Sequence, residues 1–254
     1  MLDLHTHLLP GVDDGSRALD VSVRVLERFA AEGVSVVACT PHLAASRAIE
    51  APVAAHAALR AAVQAALEAT APGAITLVAG FEIMLDVPGC ELHGRGLTLA
   101  DSRAVLVEFP RTGLPPGATG ELLRLRSSGL VPVVAHPERY KGVSVDTMHE
   151  WRDVGAVLQG DAMMLLSTGP MAVLARTLLE EGLYDILASD NHGDRRTLST
   201  VREWLRELGG DRQGCQLTED NPRRLLADAP LEPVPPLRQP RSAWQRLRAM
   251  LGRR

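Results

Sequence analysis

The 254 residues suffice for one large domain with its own core, a length at which α/β barrels occur as single domains. Apolar residues at 46% are ordinary for a soluble globular protein, and aromatics at 3% leave Leu, Val and Ala to build the interior. A net charge of -4 excludes a global basic field for nucleic acid, an odd count of 3 cysteines argues against a disulfide framework, and no apolar run approaches the ~18–20 residues of a membrane span.

The opening MLDLHTHLLPGVDDG has neither the basic start nor the apolar stretch of a secretion signal. Together with cysteines that look unpaired, this predicts a cytoplasmic protein. Residues 2–5 read as a first strand, followed by a loop rich in Pro, Gly and Asp. Residues 17–32 carry helical apolar spacing (Val21, Val25, Leu26, Phe29) and stop at Gly33. A strand is expected over 34–40, an alanine-rich helix over 53–70, and a strand over 75–79 leading into Phe81 and Glu82. Next come a strand over 104–109, a helix over 119–127, and a strand over 131–135 ending at His136. The rest alternates likewise: helix 145–154, strand 156–159, helix 171–181, strand 185–188 ending at Ser189 and Asp190, then helices over 197–208 and 218–226.

About seven strands alternating with helices predict parallel strands joined by right-handed crossovers. Runs such as VSVVAC, AVLVEF and VPVVAH are apolar throughout, as strands covered on both faces are, and a barrel is the natural closed form. From Asp228 onward the composition turns proline-rich, then basic. The expected division is therefore a barrel over 1–228 and an appended tail over 229–254, whose arginines near Trp244 suit weak contact with an anionic membrane surface or a partner.

The chemistry-bearing residues share a position. His5, His42, Glu82, Glu108, His136, Asp190 and His192 all lie at or just after the C-terminal ends of expected strands, where βα barrels assemble their sites. His5 and His7 stand two apart, a spacing that projects both to one face of a strand. Asp190 and His192 repeat it. Taken singly, each is as readily a satisfied core histidine or a helix-capping carboxylate. His56, His93 and His149, without ligand neighbours in sequence, read that way. Imidazole and carboxylate without thiolate suit Mn²⁺, Fe²⁺ or Zn²⁺ in a hydrolytic site, where paired ions hold a nucleophile and clamp phosphate oxygens. Arg139 is a candidate for bidentate phosphate binding, with a structural salt bridge as the alternative; Arg195 and Arg196 are candidates for a second cation or for solvated surface charge. Cysteine phosphatase chemistry fails by inspection. Six positions after Cys39, Cys90 and Cys215 stand Ala45, Gly96 and Asn221, where the phosphate loop needs arginine.

The segments DLHTHLLPGVDDGS, ACTPHL, AGFEIML, VLVEFP, VVAHPERY, ASDNHG and TEDNPRRLL resemble the polymerase-and-histidinol-phosphatase (PHP) superfamily. Within it they are most similar to the bacterial protein-tyrosine phosphatases of capsule and exopolysaccharide clusters. They span residues 2 to about 227, and the opening segment, with its Pro-Gly-x-Asp-Asp-Gly loop, is the most specific. The resemblance implies a distorted seven-stranded (β/α) barrel with a cluster of three ions, usually manganese. It implies one ion on His5, His7, Glu82 and Asp190, a second on Asp14, His42 and His192, and a third on Glu82, Glu108 and His136. It further implies phosphate contact by Arg139, helped by Arg195 or Arg196, and action on an autophosphorylated bacterial tyrosine kinase that controls polysaccharide export. The alternatives are a small-molecule phosphatase, such as one for histidinol phosphate, and a non-catalytic metal-binding partner protein.

Overall fold

A computed structural model describes residues 1–110 and 113–237. Their elements run β1 (Leu2–Thr6), α1 (Leu19–Ala31), β2 (Val36–Cys39), β3 (His42–Ala44), α2 (Val53–Glu68), β4 (Thr76–Ala79), β5 (Glu82–Met84) and β6 (Ala104–Glu108). Then follow α3 (Ala118–Ser127), β7 (Val131–Ala135), α4 (Val145–Asp153), β8 (Val157–Asp161), α5 (Ala162–Leu166), α6 (Pro170–Glu180), β9 (Ile186–Ala188), α7 (Leu198–Glu207), α8 (Asp211–Cys215) and α9 (Asn221–Leu226). Helix starts follow local chemistry: Ser144 and Thr147 form a reciprocal capping box at α4, and Asp161 and Thr197 accept backbone N–H groups at the starts of α5 and α7. The last expected helix begins earlier than residue 218, because α8 runs through a π-helical turn at Gln216–Asp220 into α9.

Every strand pairing is parallel, as the alternation of strand and helix requires. The strands form two sheets, ordered β1-β2-β4 and β3-β5-β6-β7-β8-β9, where the sequence predicts one closed barrel of seven. The difference has a local cause. The chain breaks at Thr40-Pro41 and again at Gly80-Phe81, so β2 continues as β3 and β4 as β5 in the other sheet. Pro41 has no N–H to give to a ladder, which ends β2 one turn of pleat before His42. Each break therefore falls immediately before a candidate ligand, His42 or Glu82, and these two sit directly opposite each other in the β3–β5 pairing. The far edges approach at an isolated Thr6–Asn191 bridge, where Asp190 N donates to His5 O (3.0 Å) and His7 N to Asn191 O (2.8 Å).

The strands of both sheets contribute to one apolar cluster built from Leu2, Leu4, Ala38, Leu106, Val133 and Ile186, with Leu225 packed into it. Outside, α1 and α2 cover the smaller sheet through Val25, Leu26, Phe29, Val63 and Leu67. The remaining helices cover the larger one, with Trp151 and Tyr184 fully buried. The chain continues to pack beyond the expected boundary at 228. Val234 and Leu237 are buried in the main core, Asn221 exchanges two hydrogen bonds of 2.9 Å with the backbone of Glu232, and Gln216 donates to Pro233 O. Proline here fixes an extended strap rather than releasing a tail. The basic stretch around Trp244 lies outside the described residues. Among the described residues no helix is long and apolar enough to cross a membrane.

Candidate metal centre

The C-terminal ends of the strands converge as their positions in sequence imply. His5 lies inside β1, where the β1–β2 register slips between Asp3 and Thr6, an irregularity of the kind that re-aims side chains beside a site. His42 and Glu82 open β3 and β5, Glu108 closes β6, and His136 and Asp190 follow β7 and β9. These last two adopt left-handed backbone, φ 35° and φ 50°. For non-glycine residues this is uncommon, and for His136 the following Pro137 narrows the choice further, so both are held there by their surroundings. The loop after β1 is folded tightly back: Ser16 N donates to His7 O (2.8 Å), and a Cβ on Gly15 would stand 2.2 Å from that same oxygen. Only glycine fits, and the fold-back carries Asp13 and Asp14 to the cluster.

Four overlapping sets of ligand atoms lie within 4.8 Å of one another: His7, Asp14, His42 and His192; His5, His7 and Asp190; His5, Glu82 and His136; and His42, Glu82 and Glu108. All nine residues expected as ligands are thus in one cluster. Glu108 and His136, expected to share an ion, fall in different sets that meet at Glu82. His5, His7, Glu82, His136 and Asp190 are buried, whereas Asp14 is exposed at the mouth. His56, His93 and His149 stand outside the sets; His93 pairs with Glu91 and His149 lies 3.9 Å from Glu181.

The hydrogen bonds decide which nitrogen each imidazole presents. His5 Nδ1 faces Gln159 Oε1 at 2.8 Å, His7 Nδ1 faces Asp13 Oδ2 at 2.7 Å, and His192 Nδ1 faces Asp190 O at 2.9 Å. Each partner is an oxygen that only accepts, so Nδ1 donates and the Nε2 lone pair is directed into the cluster. His5 Nε2 and His7 Nε2 lie 3.2 Å apart, both 3.3 Å from Glu82 Oε2 and from Asp190 Oδ1. Glu82 Oε2 is buried without a well-formed hydrogen bond, though His42 Nδ1 is 2.9 Å away. Nitrogen and carboxylate donors crowded this closely are balanced either by protons or by a divalent cation, and the donor set fits a cation.

Electrostatics follow from this crowding. Burial opposes charge on His5 and His7, but Glu82 and Asp190, with Asp13 beside His7, outweigh it and hold both pKa values up. Hydrogen bonding to Glu82 raises His42 as well. Burial pulls His136 and His192 down. Glu82 and Asp190 resist burial's upward push and stay well below the usual carboxylate range because imidazoles and Arg139 surround them. Asp13, also pushed up by burial, is brought to about 2 by His7.

Arg139 is mostly buried. Its Nη1 lies 2.8 Å from Asp190 Oδ2, and its Nη2 pairs with Asp161. The structural salt bridge that the sequence leaves open is therefore present. Arg196 Nη1 also reaches Asp190 Oδ2, at 3.3 Å, and its Nε pairs with Asp194, whereas Arg195 is exposed. Beside the cluster opens a cavity of about 350 Å³ between Asp14, His42 and Glu108 on one hand and Leu43, Met84 and Phe109 on the other. Sequence reasoning missed Asp13, Gln159 and Asp161. The last two stand at the end of β8, and the strand-end rule applied to that strand finds them. Asp13 is told from Asp14 only by the loop's fold.

The sequence profile of the capsular polysaccharide synthesis family CpsB/CapC matches residues 1–227. Among curated proteins, the chain is 28% identical over 243 residues to tyrosine-protein phosphatase CpsB of Streptococcus pneumoniae, covering 90% of this chain and 99% of that one. It is 26% identical over 226 residues to the putative tyrosine-protein phosphatase CapC of Staphylococcus aureus, covering 84% of each. Its fold matches a crystal structure from the pair YwqE of Bacillus subtilis and CpsB of Streptococcus pneumoniae, described as metal-dependent tyrosine phosphatases. That match has a TM-score of 0.79 and 24% identity, covering 94% of this chain and 100% of that one.

Proposed function

The chain belongs to the capsular polysaccharide synthesis family CpsB/CapC, and from that premise we propose that it is a metal-dependent protein-tyrosine phosphatase. The observation that carries the proposal is the single cluster formed by all nine imidazole and carboxylate ligands beside a cavity with an apolar wall. The two sheets are then one distorted seven-stranded barrel. In it β2 with β3 and β4 with β5 each count as a single interrupted strand, and the Thr6–Asn191 bridge is the join.

On the family resemblance, His5, His7, Glu82 and Asp190 would hold one divalent ion, Asp14, His42 and His192 a second, and Glu82 with Glu108 and His136 a third, although Glu108 and His136 share only Glu82 between their sets; manganese is the ion that resemblance implies, and iron and zinc suit the same donors. Ions so held would supply Lewis-acid charge to phosphoryl oxygens and would lower the pKa of an attacking water. The protein's own residues do the rest. Gln159, Asp13 and the Asp190 carbonyl keep the imidazoles in the tautomer that leaves Nε2 available. Leu43, Met84 and Phe109 give the ring of a phosphotyrosine an apolar surface next to the cluster. Arg139, fixed by Asp161, and Arg196 place guanidinium charge beside Asp190, where equatorial phosphoryl oxygens gain negative charge. A phenolate leaving group, with a reference pKa of about 10, departs without the strong general acid that a serine alkoxide needs. The substrate protein would be an autophosphorylated bacterial tyrosine kinase governing polysaccharide export, which fits a cytoplasmic setting for the unpaired Cys39, Cys90 and Cys215.

The test is kcat/KM for a phosphotyrosine peptide, a phosphoserine peptide and histidinol phosphate at one fixed Mn²⁺ concentration. The phosphotyrosine peptide should lead by an order of magnitude or more. A clear lead for histidinol phosphate would move the chain to the small-molecule branch, and no hydrolysis of any of them would leave a metal-binding partner protein.

A further inference from the structure

A second cavity, of about 310 Å³, opens on the flank of the molecule between α2 and the break that separates β4 from β5. Its floor is apolar, built from Leu9, Cys39 and Phe81. None of the candidate metal ligands lines it, although Phe81 directly precedes Glu82 and Cys39 stands three residues before His42.

Two guanidiniums and an imidazole line this pocket. His56 and Arg60 stand one helical turn apart on α2 and so share a face, and Arg95 reaches the rim from the loop opposite. Among the described residues neither guanidinium has a hydrogen bond or an ion pair. His56 lies with its ring 5.2 Å from that of Phe81, and its buried Nδ1 has no partner. Asp101, at the same rim, is one carboxylate against two guanidiniums.

The backbone on the loop side is held in uncommon conformations. Gly96 has φ +81°, and a Cβ there would stand 2.6 Å from Val53 Cγ1, so the loop packs this closely against α2 only with glycine at that position, leaving Arg95 exposed at the rim. Ala100 and Asp101 are both left-handed, at φ 52° and φ 57°. Neighbouring non-glycine residues in that region persist only when their surroundings impose it, and they concentrate at ligand clamps and active sites.

We infer that this cavity is a binding site for a small organic anion, a carboxylate or a phosphate ester with an apolar body. Arg60 and Arg95 take the oxyanion, and Leu9, Cys39, Phe81 and the His56 ring take the body. Planar oxyanions match the guanidinium fork, and a volume of this size sits at the small end of ordinary ligand pockets.

The test uses the Mn²⁺-loaded full chain and three probes of one shape: 1-naphthoate, 1-naphthyl phosphonate and the neutral 1-naphthalenemethanol, each titrated by calorimetry. At least one anion should bind saturably at one site per chain beyond any phosphonate held by the metal cluster, and more tightly than the alcohol; the anion whose binding R60Q/R95Q weakens more identifies the headgroup. Binding should weaken by roughly tenfold or more in R60Q/R95Q, the scale for losing charge-assisted hydrogen bonds. It should weaken likewise in A57F, which fills the pocket without touching a charge. Aryl phosphate hydrolysis in both variants should stay close to the wild-type rate. Equal affinity for the alcohol, equal affinity in the wild type and R60Q/R95Q, or no saturable binding to the wild type would each overturn the inference, whatever the phosphatase assay shows.

Discussion

Stripping divalent ions from the protein should lower its melting temperature, and the loss should widen as pH rises. Without an ion, the buried cluster balances itself with protons. Burial disfavours charge on His5 and His7, but Glu82, Asp190 and Asp13 outweigh it, and hydrogen bonding to Glu82 raises His42, so all three imidazoles hold their protons above the ordinary histidine range. A histidine whose folded pKa is raised contributes stability that is fully present below its unfolded value, about 6.5, and is lost as pH rises through the folded value. His136 and His192 are pulled down by burial and act in the opposite sense, but they need lose no proton to bind an ion at neutral pH. An ion must displace the protons on the first three. Each proton displaced strengthens binding by about 1.4 kcal/mol per pH unit. At free Mn²⁺ a hundredfold above its dissociation constant, one occupied site adds about 2.7 kcal/mol. A chain of 254 residues unfolds with an entropy of about 0.5 kcal/mol per kelvin, so that is a shift of about 5 °C per site. Scanning calorimetry of chelator-treated and Mn²⁺-saturated protein at pH 6, 7 and 8 reads the difference directly. A gap that stays constant or narrows with pH would refute the proton-displacement reasoning, and no gap at all would refute the metal centre.

The other outcomes are more local. Asp13→Asn keeps the shape of the His7 partner but removes its charge, and should weaken Mn²⁺ binding by roughly 10–100-fold in an equilibrium titration; unchanged affinity would show that Asp13 does not orient His7. Arg139→Gln should lower kcat for a phosphotyrosine peptide by roughly 10²–10³. Because Arg139 Nη1 also touches the Asp190 carboxylate, metal content must be assayed alongside, and normal turnover with normal metal would leave the arginine a purely structural salt bridge. Ending the chain after Asp228 removes the buried Val234 and Leu237, worth about 1.5–3 kcal/mol each, so melting should fall by roughly 6–12 °C. Ending it after Leu237 keeps both side chains and should melt higher than ending it after Asp228, and equal melting of the two truncations would refute the strap.

What could be read in advance depended on whether the signal was local. Parallel pairing followed from alternating β-rich and helical runs, and the nine ligand positions from a rule about strand ends, both visible in short windows. The breaks at Thr40-Pro41 and Gly80-Phe81 were not, since the expected strands over 34–40 and 75–79 simply end there and nothing in the short runs after them announces a second strand in another sheet. Asp13 and Asp14 are chemically identical neighbours, and only the fold-back against Gly15 gives one to His7 and the other to the mouth. The strap over residues 229–237 was misjudged because proline content reports what the backbone cannot form, not whether Val234 and Leu237 find an apolar surface. Arg139 remained ambiguous in sequence because its carboxylate partners, Asp161 and Asp190, stand far from it along the chain.

The Thr6–Asn191 bridge has a consequence for the order in which the protein is made. β1 leaves the ribosome well before β9: its second neighbour and the Asp190 carboxylate that faces His5 and His7 are synthesised about 185 residues later, roughly 10–40 s at ordinary elongation rates. Through that interval a nascent chain carries two histidines on an open strand edge and can bind a metal only incompletely. The full set of ligands exists only once translation has passed His192, so catalytic competence cannot precede that point and arrives nearly all at once.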